Sequence, residues 1–189
     1  MTKTLTEEDI RPQKIFDEFL RLTEKDARTF FESGKRTPIA CPACGETGVA
    51  AFTKLGFAFE QCPACLTLYV SPRPEAEAFS RYYRDAESVT YWATTFYKET
   101  VEVRREKLWK PKVRMIHELV ARFGTPSGEV VDIGGGYAIF AEEYTALTGQ
   151  PVTVIEPGPA LAQVCRDKGL AVVEKFLEDI GPDDLPNAP

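Results

Sequence analysis

Residues 129–136 read Glu-Val-Val-Asp-Ile-Gly-Gly-Gly, and Val-Thr-Val-Ile-Glu follows at 152–156. Each is a short apolar run with the length of a buried strand. The first ends in the turn Asp132-x-Gly134-x-Gly136, and the second in a lone acid, Glu156. The segment between them, about 137–147, has a helical pattern, and a second helix (159–168) and a short strand (170–174) follow. Strand, helix, strand, helix, strand is the order of a parallel α/β sheet with crossover helices. A glycine turn after one strand and an acid after the next is how such a sheet holds an adenosine-containing cofactor.

The glycines and acids narrow the choice of cofactor. Gly134 and Gly136 let a ligand approach the backbone with no Cβ in the way. The helix that opens near Tyr137 aims free N–H groups at that ligand. Asp132 places a carboxylate just before the turn, where it accepts hydrogen bonds through water or from a cationic ligand. Glu156 is placed to take two hydrogen bonds from ribose hydroxyls. A dinucleotide site asks for a third glycine, or an alanine, at position 139, where this chain has Ile139. An acid two residues before the first glycine also sits poorly beside a pyrophosphate. S-adenosylmethionine carries no phosphate but does carry an ammonium and a sulfonium, which suit a negative site. The third alternative is a glycine-rich βα turn that holds no cofactor.

A second motif lies upstream. Cys41-Pro-Ala-Cys44 and Cys62-Pro-Ala-Cys65 are separated by 17 residues. Two tight turns presenting two sulfurs each satisfy a tetrahedral zinc site with Zn–S near 2.3 Å, and the spacing is within the range of such sites. A rubredoxin-like iron centre is the alternative metal. A redox pair is disfavoured, because neither tetrad opens a helix. Four closed thiolates leave no open coordination position, so the expected metal is structural. The fifth cysteine, Cys165, lies on the helix after Glu156 and reads as a small buried hydrophobe.

Composition excludes several classes. The chain has 189 residues, 43% hydrophobic and 28% charged, as expected of a globular protein. A net charge of −6 and a pI near 5.0 oppose a nucleic-acid partner, which needs a basic face. No apolar run reaches about 18 residues, so no membrane partner is expected. The N-terminal MTKTLTEEDI lacks the features of a secretion signal. The expected compartment is the cytoplasm, whose reducing poise favours metal over disulfides at the CxxC pairs.

The expected organisation has four parts: N-terminal helices (1–36), a zinc-binding module (37–74), a helical connector that lids the cofactor (75–125) and a partial α/β domain (126–189). In the first part Pro12 suits a first helical turn, and Ile15, Phe16, Phe19 and Leu20 share one face. Thr23 with Asp26 resembles an N-cap pair for a second short helix carrying Phe30 and Phe31. Residues 50–52, 56–59 and 66–70 are strand-like, and Ser71-Pro72-Arg73-Pro74 ends the last of them. The connector is expected to break at Pro111. His117, Trp92 and Trp109 read as surface or packing residues, and Arg73 as a candidate anion contact. Three strands are too few for a free-standing parallel sheet. The expectation is that a C-terminal half beyond Pro189, or self-association, completes it.

Taken together, Val-Val-Asp-Ile-Gly-Gly-Gly-Tyr-Ala-Ile-Phe (130–140) and Val-Ile-Glu-Pro-Gly-Pro (154–159) resemble class I S-adenosylmethionine-dependent methyltransferases. The two Cys-Pro-Ala-Cys tetrads, Leu66-Thr-Leu-Tyr-Val-Ser-Pro-Arg-Pro74 and Tyr82-Tyr83 resemble the subgroup with an N-terminal zinc module, which includes deoxysugar C-methyltransferases. The resemblance covers about residues 38–186. It implies a Rossmann-like sheet, S-adenosylmethionine and zinc as cofactors, and a small-molecule methyl acceptor such as a nucleotide-linked sugar. Position by position, it implies that Asp132, Gly134, Gly136 and Glu156 bind the donor. It implies further that Phe176 and Leu177 flank its adenine, and that Tyr83 and Tyr91 close over it. This chain departs from the pattern at Gly135, where cysteine or serine is common, and at Ile139. The strand and helix that carry the family's catalytic residues have no counterpart before Pro189, so the catalytic base is unassigned. The rival expectation is a non-catalytic zinc-ribbon adaptor with an incomplete methyltransferase fold. A zinc-ribbon nucleic-acid binder is a third.

Overall fold

A computed structural model describes residues 5–124 and 128–185. Two compact units divide the chain, Met1–Phe19 with Val89–Pro189, and Leu20–Ser88. The second unit is wider than the 37–74 expected for the zinc module, and the expected connector is divided near Ser88.

A short helix, α1 (Glu7–Ile10), is closed by a capping box. Thr6 N–H donates to Asp9 Oδ2 at 2.8 Å, and Asp9 N–H donates to Thr6 Oγ1 at 3.3 Å. Helix α2 (Gln13–Phe31) follows as one uninterrupted element. Pro12 supplies its first acceptor, taking the Phe16 N–H at 3.0 Å. The second helix expected to start at Thr23 does not exist. No glycine or proline interrupts residues 13–31, and Leu22, Asp26, Ala27 and Phe31 form a buried stripe through the expected break. Asp26 does cap a helix, but a distant one. Its Oδ2 accepts the Ser88 N–H at 2.7 Å, at the start of α4 (Glu87–Tyr91).

In the Leu20–Ser88 unit, strands β1 (Arg36–Thr37), β2 (Val49–Lys54), β3 (Phe57–Gln61), β4 (Leu68–Val70) and β5 (Arg73–Pro74) precede helix α3 (Ala76–Asp85). The antiparallel sheet runs β2-β3-β4, and β1 pairs with β5. Leu55 and Gly56 join β2 to β3 with φ of 51° and 78°, the left-handed pair that a two-residue hairpin requires. Pro72 ends β4 as expected, but the chain resumes pairing at once, with Pro74 opposite Arg36. A proline is tolerated there because the ladder is a two-residue edge. Phe31 anchors the packing, with ring centroids 5.3 Å from Phe57, 5.0 Å from Phe79 and 5.5 Å from Tyr82.

In the other unit, α4 continues into a helical run that reaches Phe123. Widened π-type turns at Trp92–Phe96 and Arg105–Trp109 bracket α5 (Tyr97–Arg104), and α6 (Lys110–Phe123) completes the run. The expected break at Pro111 is absent. Pro111 sits in the first turn of α6, directly after a widened turn, where its missing N–H costs little.

The α/β part then alternates as expected: β6 (Val130–Ile133), α7 (Ile139–Thr148), β7 (Val152–Ile155), α8 (Pro159–Asp167) and β8 (Ala171–Val173). The sheet is parallel, in the order β6-β7-β8. All four residues of β7 are buried, as befits a central parallel strand. Val113 of α6, Ala138, Ala141 and Tyr144 around α7, Val152 and Val154 of β7, and Cys165 of α8 form one core.

Candidate functional site

The Leu20–Ser88 unit carries a metal-ligating cluster. The sulfurs of Cys41, Cys44, Cys62 and Cys65 all lie within 4.8 Å of one another. Cys41–Cys65 is 3.6 Å, and Cys44 lies 3.4 Å from both Cys62 and Cys65. A tetrahedral ion with metal–sulfur bonds of 2.3 Å separates its sulfurs by about 3.8 Å, so the donor set fits one ion. Both knuckles fold alike. Gly45 N–H donates to Cys41 O and Leu66 N–H to Cys62 O, each at 2.9 Å. Cys41 N–H returns to Glu46 O at 2.8 Å and Cys62 N–H to Thr67 O at 2.9 Å. The Thr67 hydroxyl and then its backbone N–H pull the Cys65 thiol down to about 6, which favours the thiolate that a metal needs. Cys41, Cys62, Tyr69 and Ile39 are the local core, so the metal site is also the packing centre.

The other unit carries the glycine turn. Because β6, β7 and β8 are parallel and pair Ile133 with Ile155 and Ile155 with Val173, all three strands end at one edge. Gly134 follows the first, Glu156 the second, and Phe176 lies three residues past the third. This is the carboxyl edge, where open α/β sheets bind ligands.

The turn is tied mainly to the end of β7. Gly134 and Gly135 N–H donate to Ile155 O at 2.8 and 3.4 Å, and Ala138 N–H donates to Gly135 O at 2.9 Å. Glu156, 4% exposed, accepts Gly136 N–H at 3.0 Å on one carboxylate oxygen and Gly158 N–H at 2.9 Å on the other. Gly134 and Gly136 adopt φ of 72° and 56°, and Ala138 is also left-handed at 61°. Helix α7 begins at Ile139, two residues later than expected. A side chain built on Gly134 would meet nothing within 4 Å, so space opens over that residue. A Cβ on Gly135 would lie 2.5 Å from Val154 Cγ1 and 3.0 Å from Asp132 Oδ2. Gly135, a departure from the resembled pattern, is a position where any side chain would force Val154 or Asp132 to shift.

Charge at the turn is negative. Burial, and then the neighbouring Glu156 carboxylate, push Asp132 above its ordinary value. Burial raises Glu156 too, against the lowering effect of its two amide donors. Among the described residues neither carboxylate has an ion-pair partner.

Tyr97 of α5, Cys165 of α8 and Lys168 just after α8 have roles at the turn that the sequence did not signal. Cys165 Sγ donates to Gly136 O at 3.3 Å, and Lys168 Nζ donates to Tyr137 O at 2.5 Å. Burial, and then Glu156, raise the Cys165 thiol to about 11, so it stays protonated and donates. Tyr97 stacks on Tyr137 with centroids 5.5 Å apart and planes within 3°. Its hydroxyl lies 3.8 Å from the Cβ position of Gly136.

The remaining candidates are distributed. Leu177 is half exposed, in the 3-10 turn Leu177–Asp179 that Phe176 precedes. Tyr83 packs edge-on against Tyr82 at 5.6 Å in the Leu20–Ser88 unit, whereas the turn belongs to the other unit. Tyr91 ends α4, with Glu18 and Glu99 as its charged neighbours. His117 and Arg73 are exposed. Trp109 packs near Phe140 at 6.2 Å.

No family model matches the chain, and no curated protein matches it. Among solved structures, it is similar to the plantazolicin methyltransferase BpumL in complex with SAH, at 8% identity and a TM-score of 0.41. The match covers 54% of this chain and 40% of that one. A likeness this distant establishes neither fold nor activity. No helix among the described residues is long and apolar enough to cross a membrane.

Proposed function

We propose that the chain binds S-adenosylmethionine on the Gly134–Gly136 turn and serves methyl transfer to a small-molecule acceptor, with one structural zinc ion on Cys41, Cys44, Cys62 and Cys65. The observation that carries this reading is the pairing of two carboxylates, Asp132 and Glu156, at the carboxyl edge of a parallel sheet with no counter-cation among the described residues. Negative charge at this position suits an ammonium and a sulfonium. The same geometry counts against a dinucleotide. The N–H groups of Gly134, Gly135, Gly136 and Ala138 are all engaged within the chain, and a pyrophosphate needs such donors. When bound, S-adenosylmethionine supplies a methyl group that moves from sulfur to the acceptor nucleophile, leaving a neutral thioether while the acceptor gives up its proton. The chain's own part would be to orient the donor: Glu156 would take its ribose hydroxyls, Asp132 its cationic arm, and Phe176 and Leu177 its adenine. A nucleotide-linked sugar as acceptor rests on the sequence resemblance alone.

One observation favours a second reading, a zinc-ribbon adaptor whose turn holds no ligand. Glu156 is already satisfied by two amides and is nearly sealed from solvent. Calorimetric titration of the metal-loaded protein with S-adenosylmethionine separates the two. Micromolar binding supports the donor site, and silence in a folded sample supports the adaptor.

A further inference from the structure

Tyr97 is a polar side chain at the turn, and its hydroxyl oxygen accepts a hydrogen bond from the Trp92 N–H. Its ring is clamped in a four-layer stack. Lys168 Nζ lies 4.2 Å from the Tyr137 ring, Tyr137 lies parallel to Tyr97, and the Arg104 guanidinium lies 5.2 Å from Tyr97. Trp92 meets Tyr97 edge-on at 5.3 Å. Arg104 is itself buried and fixed. Its Nε donates to Thr100 Oγ1 at 3.0 Å and its Nη2 to Ile10 O at 2.7 Å. Parallel aromatic pairing and flanking cations each add attraction beyond burial, so the ring has one orientation. That orientation sends the hydroxyl to the turn, where Gly136 has no side chain to fill the intervening space. Burial first, then the fields of Glu156 and Asp132, keep the phenol protonated against the opposing effects of Arg104 and Trp92. The O–H group thus remains a donor, and it has no acceptor among the described residues.

We infer that Tyr97 is a specificity-determining residue of the donor site, and that its O–H donates to the carboxylate of an amino-acid arm carried by the bound nucleoside. This rests on the donor-site reading above and adds an anion subsite to it. Two acids at the turn would repel a ligand carboxylate; a neutral donor beside Gly136 gives that carboxylate its place. The ammonium of the same arm then falls to Asp132. A nucleoside thioether without the arm has no use for the hydroxyl.

The test is a set of titrations on the metal-loaded protein and its Tyr97→Phe variant. The ligands are S-adenosylmethionine, S-adenosylhomocysteine and 5′-methylthioadenosine, which lacks the arm. Removing one hydrogen bond to a charged group is expected to weaken the first two by about tenfold and leave 5′-methylthioadenosine unchanged. Equal losses for all three would show that Tyr97 acts only through packing, and no loss for any would remove it from the site; either result overturns the inference. Wild-type protein that binds 5′-methylthioadenosine but neither arm-bearing ligand overturns it as well, while keeping the nucleoside pocket. Wild-type silence toward all three overturns the donor-site reading, and the inference falls with it. Retained 5′-methylthioadenosine binding also shows that the variant is folded.

Discussion

Glu156 Oε2 accepts the Gly136 N–H at 3.0 Å, so the acid that ends β7 is bonded to the glycine turn that ends β6. Its other oxygen holds Gly158 N–H at 2.9 Å, ahead of α8. The carboxylate is therefore a staple between two loops before any ligand arrives. Each oxygen keeps lone-pair capacity for one ribose hydroxyl. Glu156→Ala is expected to have two separable effects: a loss of about 1–3 kcal/mol in stability without ligand, from one buried and one partly buried amide left without acceptors, and a further loss of about 1–3 kcal/mol in binding of S-adenosylmethionine. Denaturant unfolding and calorimetry measure them independently. Unchanged stability would deny the staple, and unchanged affinity would deny the ribose contact.

Asp132 has no such amide donors among the described residues, so its charge is kept at a cost to the ligand-free protein. Burial raises its folded value above the ordinary 3.8. An acid raised on folding binds its proton more tightly in the folded state, so ionisation favours unfolding. The stability retained below pH 3.8 is lost as pH rises through the raised value. Asp132→Asn should therefore raise the melting temperature of the ligand-free protein at pH 7, and the gain should vanish as pH falls below the ordinary value. The same variant should bind S-adenosylmethionine about tenfold more weakly, since it loses a charged partner for the ammonium. A variant that melts lower at pH 7 would show that Asp132 serves the fold.

The sequence made the frame of this site legible because the decisive signals were local. Apolar runs of strand length, glycines and a terminal acid are properties of neighbouring residues, and β6, α7, β7, α8 and β8 fall within about two residues of their expected bounds. The four cysteines were legible for the same reason, since CxxC spacing fixes two sulfurs on one turn. What the sequence hid was set by approach across the fold. Val154 Cγ1 would have to shift for a side chain on Gly135, and nothing near Gly135 in the chain announces it. Tyr97 lies 40 residues from Tyr137 along the chain, inside a helical run bracketed by two widened turns that carry no sequence mark. The single long helix α2 was misjudged because Thr23 and Asp26 match a cap pattern, whereas Asp26 caps a helix that begins some sixty residues later.

Metal removal tests the other unit. The core around the knuckles is only Cys41, Cys62, Tyr69 and Ile39, too small to hold three short strands alone. Metal binding and local folding are then one equilibrium. Cys44→Ser, which removes a solvent-facing ligand, should lower the metal content below one zinc per chain and unfold residues 38–74. Metal analysis and amide exchange read these directly. Full zinc occupancy with protected β2 and β3 amides would mean that the cysteines do not form the site.

The two knuckles differ at one matched position, and this gives the narrowest prediction. Gly45 and Leu66 make equivalent hydrogen bonds four residues after Cys41 and Cys62, with φ of 81° and 63°. Glycine adopts that conformation freely, whereas a side chain there costs about 1–2 kcal/mol. Leu66 is 69% exposed, so its side chain recovers little by burial. Leu66→Gly releases the strain but loosens the unfolded chain, an opposing effect of about 0.4–1 kcal/mol. The net expectation is a gain of about 0.5–1 kcal/mol, seen as a higher denaturation midpoint of the metal-loaded protein and a slower loss of zinc to a chelator. Gly45→Leu should move both measurements the other way. If Leu66→Gly instead destabilises the protein, the exposed leucine must be making a contact that outweighs its backbone strain.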